Sequence, residues 1–370
     1  MDAYAATLKP VKLSKPLKGR DGNVNSLDEG ELTTVKGANG GISWLAFNGR
    51  PELCAAASMI PRGFKDAKAE LVTDVNFAIK MAQATKYSVK VWSIPAASRR
   101  YAGFYDASFD VKGERNQLGR LVGCVTPRLN AGLEDRFSLG TWKSQKLDNK
   151  AGSPNATETH ACARCVADVV WYRALVESMT WSDWSLELQR RIHEEPTRRK
   201  PYVIKSEDPV VGDPIAMIIG DSKGVYDNLD KEQPGDDRYS ALQSAIIKEK
   251  MKALGAIARW LPHDKNPADA LTKFRGAHAV PLMRLLTTGR FRLSSEDEEL
   301  KKKAEAKAEL GYVPRPKTGV RGALKAIQGF FKYAVTKEEY LLWLRHELCD
   351  VLDDSGEPGP SVRKSETQPD

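Results

Sequence analysis

Apolar residues recur at two different periods along this chain, and the alternation between them predicts its elements. Leu71, Val75, Ala78 and Ala82 return every third or fourth residue, with Val72 and Ile79 widening the same face, so a helix is expected over 64–86. Val89 and Val91 then alternate with Ser88 and Lys90, which predicts a short strand over 87–94. Further strands are expected at 101–105, 118–126 and 137–144, with turns at 113–117 and 127–135. Links this short pair strands antiparallel. The spacing of Ala161, Cys165, Val169, Tyr172 and Val176 predicts a long helix over 157–179.

Residues 214–220 are almost wholly apolar, the pattern of a strand buried on both faces. Helices are expected at 222–229 and 239–254, and a strand at 256–261. Asn266, Pro267 and Asp269 read as the cap, first-turn proline and third-position acid of a last core helix. From 101 to 285 the order is thus β-β-β-α-β-α-β-α, an α/β fold with a mixed sheet and helices on both faces. Before it lie a flexible, polar segment at 1–35 and a connecting segment at 36–98, in which Pro51 and Glu52 mark a helix start. After 99–285 comes a helical extension at 286–352. It comprises a charged helix at 296–310, exposed or bridging, and amphipathic helices at 322–335 and 337–352. Residues 353–370 are rich in Ser, Pro and Glu and are expected to be disordered.

Composition adds a bias rather than a function. With 370 residues the chain has material for one large domain or two ordinary ones. A formal charge of +8 favours a polyanionic partner such as nucleic acid. Five cysteines are too sparse for a disulfide scaffold and fit a reducing compartment. No run approaches the ~20 apolar residues that cross a bilayer. The expectation is therefore a soluble intracellular protein without a membrane partner, with nucleus and cytoplasm both open. His160, Cys162 and Cys165 superficially resemble metal ligands, but no second pair completes a tetrahedral set, and they are read as core packing.

Four acids fall where strand ends and helix starts can share one edge of a mixed sheet, where ligands commonly bind. Asp106 ends the first strand, Glu158 opens the long helix, Asp221 follows the buried strand, and Asp269 opens the last core helix. Each also has a purely local explanation. Asp106 can fill a turn, Glu158 can favour a helix N-terminus, Asp221 can cap the next helix, and Asp269 can complete a capping box with Asn266. Local sequence leaves both readings open.

Trp260-Leu261-Pro262-His263, followed by Asn266-Pro267-Ala268-Asp269-Ala270-Leu271-Thr272-Lys273, resembles the closing segment of copia-type retrotransposon polyproteins, where a ribonuclease H domain follows the reverse transcriptase. Trp142-Lys143-Ser144-Gln145-Lys146 and Ala156-Thr157-Glu158-Thr159 resemble the segment bearing that family's catalytic glutamate. Gly103-Phe104-Tyr105-Asp106-Ala107-Ser108 is similar to the strand with its first aspartate, and Asp221-Ser222-Lys223 holds the place of its third acid. Ile42-Ser43-Trp44-Leu45-Ala46 and Arg50-Pro51-Glu52-Leu53 resemble the end of the reverse transcriptase and its connection, so 36–98 corresponds to that remnant. The family order runs over residues 40–275. The chain departs from it in lacking a Tyr-x-Asp-Asp polymerase motif, in the Gly152-Ser153-Pro154-Asn155 stretch, in Gly220 before Asp221, and in its long continuation after Lys273.

The resemblance implies a ribonuclease H-like endonuclease that cleaves the RNA strand of RNA–DNA hybrids. It assigns Asp106, Glu158, Asp221 and Asp269 to the binding of two Mg²⁺ ions, with Mn²⁺ as a substitute. Asp106 would be the shared ligand, Glu158 and Asp221 would flank it, and Asp269 would bind more loosely. Lys143, Lys146, Lys223 and Lys273 are candidate phosphate contacts, and His263 is a candidate for product release or proton movement. Each of these five also reads as an ordinary surface residue. A separate reverse transcriptase is a conceivable partner, and the oligomeric state is open. The competing expectation is a catalytically inactive, element-derived nucleic-acid-binding or structural remnant.

Overall fold

The computed structural model describes residues 1–14, 26–110, 116–148, 151–180, 182, 184–185, 187, 214–231, 238–273, 275–276 and 278–309. Residues Met1–Lys302 form one compact unit. The amphipathic segments expected at 322–335 and 337–352, and the tail at 353–370, lie outside the described residues.

The N-terminal region is more helical than its polar composition suggests. Helix α1 spans Asp2–Thr7 and α2 spans Glu29–Phe47, which crosses the boundary expected between 35 and 36. A reciprocal capping box explains the start of α2: the Asp28 carboxylate accepts from the Glu31 amide at 2.7 Å, while Glu31 accepts from the Asp28 amide at 3.1 Å. Val35, Ile42, Leu45 and Ala46 form its buried face. Helices α3 (Cys54–Met59) and α4 (Glu70–Ala84) follow, the second close to expectation. Residues 85–94 are not a strand; Trp92 instead donates its ring N–H to the Gly289 carbonyl at 2.7 Å. The period-two pattern there reflects an irregular chain that buries Ile94 and half-buries Trp92.

Strands β1 (Arg100–Ser108) and β2 (Gln117–Val125) pair antiparallel along their whole length. The short helix α5 (Pro127–Asn130) and strand β3 (Glu134–Arg136) then precede β4 (Ser138–Lys146), which pairs antiparallel with β2. The long helix α6 runs from Pro154 to Thr180. Beyond it come β5 (Ala216–Gly220), α7 (Lys223–Asp230), α8 (Arg238–Leu254) and β6 (Ala256–Trp260). The main sheet has five strands in the order β4-β2-β1-β5-β6, with β5 parallel to both β1 and β6. The fold is therefore α/β with a mixed sheet.

Both faces of that sheet are covered. Tyr101, Tyr105, Leu118, Val122, Ala216 and Ile218 form one apolar layer with Cys162, Cys165, Val166 and Val169 of α6 and with Ile247 and Met251 of α8. Ala102, Phe104, Leu121, Val125, Met217 and Ile219 point the other way, into a layer built from α2, α3, α4 and residues 268–293. Alternation along each strand produces this division, and β5 is buried at every position, as its sequence predicts. At Gly103 a side chain would meet Cys165 Sγ at 2.6 Å, so the glycine lets α6 lie directly on β1.

Two expectations are corrected downstream of β6. The segment after Asn266 is a single 3₁₀ turn at Asp269–Leu271, and the next helix, α9, begins only at Ala279 and runs to Thr288. Arg290–Arg292 is a strand, β7, which pairs antiparallel with β3 inside what was expected to be a turn and a helical extension. Helix α10 (Glu296–Glu309) is anchored at its start: Glu296 accepts from the Trp260 amide at 2.9 Å and pairs with Arg259 at 2.8 Å. Glu299 accepts from Lys265 at 2.7 Å. Among the described residues, no helix is long and apolar enough to cross a membrane.

Candidate metal centre

The sheet edge gathers the four acids. Parallel pairing of Phe104 with Ile219 carries Asp106, late in β1, and Asp221, just after β5, forward side by side. The ligand atoms of Asp106, Asp221 and His263 all lie within 4.8 Å of one another. Glu158 approaches from α6, where the Ala107 amide donates to its carboxylate and the charges of Asp106 and Asp221 act on it. Asp269 arrives from the 3₁₀ turn, close enough for its charge to act on Asp106.

The framework that brings them together is specific. Trp260 is buried and donates its indole N–H to the Asp221 carbonyl at 2.8 Å, while the Leu261 amide donates to the Gly220 carbonyl at 3.1 Å. These two bonds fix the β5 exit against the β6 exit. Asn266 donates from Nδ2 to the Tyr105 carbonyl at 2.9 Å, pinning the turn that carries Asp269 to the end of β1. On the other side of that turn, a side chain at Gly119 would meet the Ala268 carbonyl at 2.7 Å, so β2 offers the turn bare backbone. Gly220 has an equally direct reason: an added Cβ would stand 2.3 Å from the ring of Tyr105.

Each local alternative can now be judged. Asp221 does not cap α7; Ser222 does, its hydroxyl accepting from the Val225 amide at 3.5 Å. Helix α6 begins at Pro154, which places Glu158 beyond the exposed first-turn donors. Asp269 completes no capping box, since Asn266 Oδ1 accepts from the Ala268 amide at 3.0 Å and the Asp269 carboxylate turns toward Lys273 and His278, each at 2.5 Å. Asp106 sits within β1 rather than in a turn, and receives a hydrogen bond from the Thr272 hydroxyl. The local roles are occupied by other residues, and the four carboxylates act on one another at the sheet edge beside Thr272, Lys273 and the two histidines.

Electrostatics register that crowding. Asp106 is pushed up to about 7, first by burial and then by the charge of Asp221, with the Thr272 hydroxyl opposing. Glu158 is held well above the usual carboxylate range by burial, then by Asp106 and Asp221. Its Oε2 is buried with no hydrogen-bond partner among the described residues. His263 loses to burial but gains more from its hydrogen bond to Asp221 and from the nearby Asp269 and Asp221 charges, so it is raised overall. Buried carboxylates with an unpartnered oxygen are suited to a cation, and an all-oxygen set beside one imidazole can hold a divalent metal.

The expected basic contacts divide. Lys273 belongs to the centre through Asp269, and His263 through its 2.7 Å bond to Asp221. Lys223 pairs within its own helix with Asp227 and lies over the Tyr226 ring at 5.1 Å. Lys143 and Lys146 are exposed on β4, the outer strand. They line an open cleft of about 420 Å³ with Phe47, Ala57 and Ser58. Two members were not singled out by sequence: Thr272, whose place in the Asp269-Lys273 stretch was a usable signal, and His278, a lone histidine with none. Cys162 and Cys165 are fully buried in the core, consistent with packing. No protein-family model matches the chain, and no curated protein matches it in sequence.

Proposed function

We propose that this protein is a metal-dependent nuclease of the ribonuclease H type, related to the copia-type retrotransposon domain and acting on the RNA strand of RNA–DNA hybrids. The observation that carries this reading is the meeting of Asp106, Glu158, Asp221 and Asp269 at one sheet edge, with a buried Glu158 oxygen that has no hydrogen-bond partner among the described residues. Hard oxygen donors in that number suit Mg²⁺, or Mn²⁺ in its place. When bound, a pair of such ions supplies an activated water and neutralises charge on the scissile phosphate and the departing oxygen.

The chain's own groups have definable parts. Asp106 would be the shared ligand, with Glu158 and Asp221 flanking it and Asp269 binding more loosely. Thr272 orients the Asp106 carboxylate by donating to it. Lys273, only partly exposed and paired with Asp269, is a cation close to the carboxylates and available to a phosphate oxygen. His263, more than half exposed and bonded to Asp221, stands where a proton can be exchanged with solvent. Recognition of the RNA strand requires contacts to 2′-hydroxyls across a shallow minor groove. The exposed Lys143 and Lys146 offer phosphate contacts at the β4 side.

A nucleic-acid-binding protein without turnover is the second reading, favoured by one observation: Asp269 already has Lys273 and His278 at 2.5 Å. The deciding experiment is Mg²⁺-dependent cleavage of a labelled RNA–DNA hybrid by the purified chain and by Asp106→Asn. Cleavage by the unmutated chain alone supports the nuclease. Hybrid binding by both with cleavage by neither supports the second reading.

A further inference from the structure

Beside the carboxylate centre lies a second constellation of different chemistry. We propose that His263, Asp269 and His278 form a site for a transition-metal dication of the Zn²⁺ class, whose occupation withdraws Asp269 from the Mg²⁺ centre. The ligand atoms of these three residues lie within 4.8 Å of one another. His278 Nδ1 is 2.5 Å from Asp269 Oδ2, and His263 Nε2 is 3.6 Å from the same oxygen. Tetrahedral coordination with Zn–N and Zn–O bonds of roughly 2.0–2.1 Å separates donors by about 3.3 Å. The two observed separations straddle that value, so adjustments of about 1 Å or less in the exposed His263 and the half-buried His278 imidazoles complete the set.

The donor type decides the class of ion. Two imidazoles and one carboxylate favour Zn²⁺, Co²⁺ or Ni²⁺ over Mg²⁺, which prefers oxygen and retains its water. The tautomer is also arranged. His263 Nδ1 lies 2.7 Å from Asp221 Oδ2, so a proton on Nδ1 leaves the Nε2 lone pair facing Asp269. A carboxylate behind a histidine in this way orients the ring and strengthens it as a metal ligand. The His263 side chain is 56% exposed and that of His278 37%, which leaves an approach from solvent. All three ligands come from the segment 263–278, so the ion would also tie His278, at the start of α9, to the turn holding Asp269.

Binding of the ion stands independently of catalysis; the inhibition of Mg²⁺-dependent cleavage rests on the nuclease reading. The test is Co²⁺ titration of the metal-free full chain, followed by its visible absorption, with Zn²⁺ as competitor. One Co²⁺ per chain is expected, displaced by Zn²⁺. His278→Gln should weaken it by about a hundredfold or more, as loss of one of three protein ligands requires. Asp106→Asn should leave Co²⁺ affinity within about threefold. Melting of each variant without metal shows whether it is folded. Absence of stoichiometric Co²⁺ binding overturns the proposal, as does equal affinity in a folded His278→Gln. Loss of binding in a folded Asp106→Asn also overturns it, because the ion would then sit among the carboxylates. Where hybrid cleavage is present, Zn²⁺ should suppress it in the unmutated chain and far less in His278→Gln.

Discussion

Asp106 shows how a single residue links stability to the chemistry of the site. In the metal-free protein its carboxyl is raised to about 7 by burial and by Asp221, whereas in the unfolded chain it titrates near ~3.9. Between those values the folded state binds the extra proton. Stability is therefore full at low pH for this group and is lost as pH rises through about 7. Mg²⁺ should reverse the loss, so its increase of the melting temperature is expected to be larger at pH 8 than at pH 5. Calorimetry with and without Mg²⁺ checks this. Asp106→Asn should stabilise the metal-free fold at pH 8 by ~1–3 kcal/mol, since a tenfold change in proton affinity between folded and unfolded chains is worth ~1.4 kcal/mol. The same substitution should abolish most of the Mg²⁺ effect. Gly220 is a second residue-scale case. Gly220→Ala places a methyl against the Tyr105 ring, and overpacking of this kind costs about 1–3 kcal/mol, measurable by denaturant unfolding. Gly220 stood out in sequence only as a departure from the resembled family, because its reason is an aromatic ring carried by a different strand.

At the scale of elements, strong periodicity translated directly. The apolar stripe at 71–82 became α4, that at 161–176 became the buried face of α6, and the unbroken apolar run before Asp221 became the doubly buried β5. Helix α2 did not read as clearly, since Gly37, Gly40 and Gly41 lower intrinsic propensity and dilute the pattern. Gly41 faces the residue that follows α1: a Cβ would stand 2.7 Å from Leu8 Cδ2. What starts α2 is the reciprocal pair Asp28 and Glu31, a signature visible in the sequence. Asp28→Ala should cost ~1 kcal/mol of stability, read as a lower midpoint in urea without a change in slope. The β3–β7 pair was not foreseeable, because each strand is three residues long and its partner lies far along the chain.

For the molecule as a whole, the N-terminal helices are structural rather than appended. Phe104, Leu121 and Ile219 on one sheet face are buried with residues from α2, α3 and α4. A division at 98/99 would strip that face to solvent. A chain beginning at residue 99 is expected to bind a hydrophobic dye and to melt without a cooperative transition, whereas residues 1–302 should melt cooperatively. Dye fluorescence and calorimetry on the two chains distinguish these outcomes. The same packing accounts for Trp142, whose indole donates to the Ala46 carbonyl of α2 at 2.8 Å and so ties the outer strand to the N-terminal layer.

The sequence by itself determined the main helices and strands between residues 100 and 261, because periodicity and punctuation are local properties, and the resemblance of its motifs singled out four acids. It also contained the Trp260–Lys273 stretch that positions two of them. Tertiary structure decided what those acids do. Register between β1 and β5 set Asp106 beside Asp221, and the Trp260 and Asn266 bonds brought the turn of Asp269 to the same edge. Ser222 took the cap for which Asp221 was the local candidate, and a lone histidine, His278, acquired a partner. Such pairings depend on distances across the fold, and no local pattern encodes them.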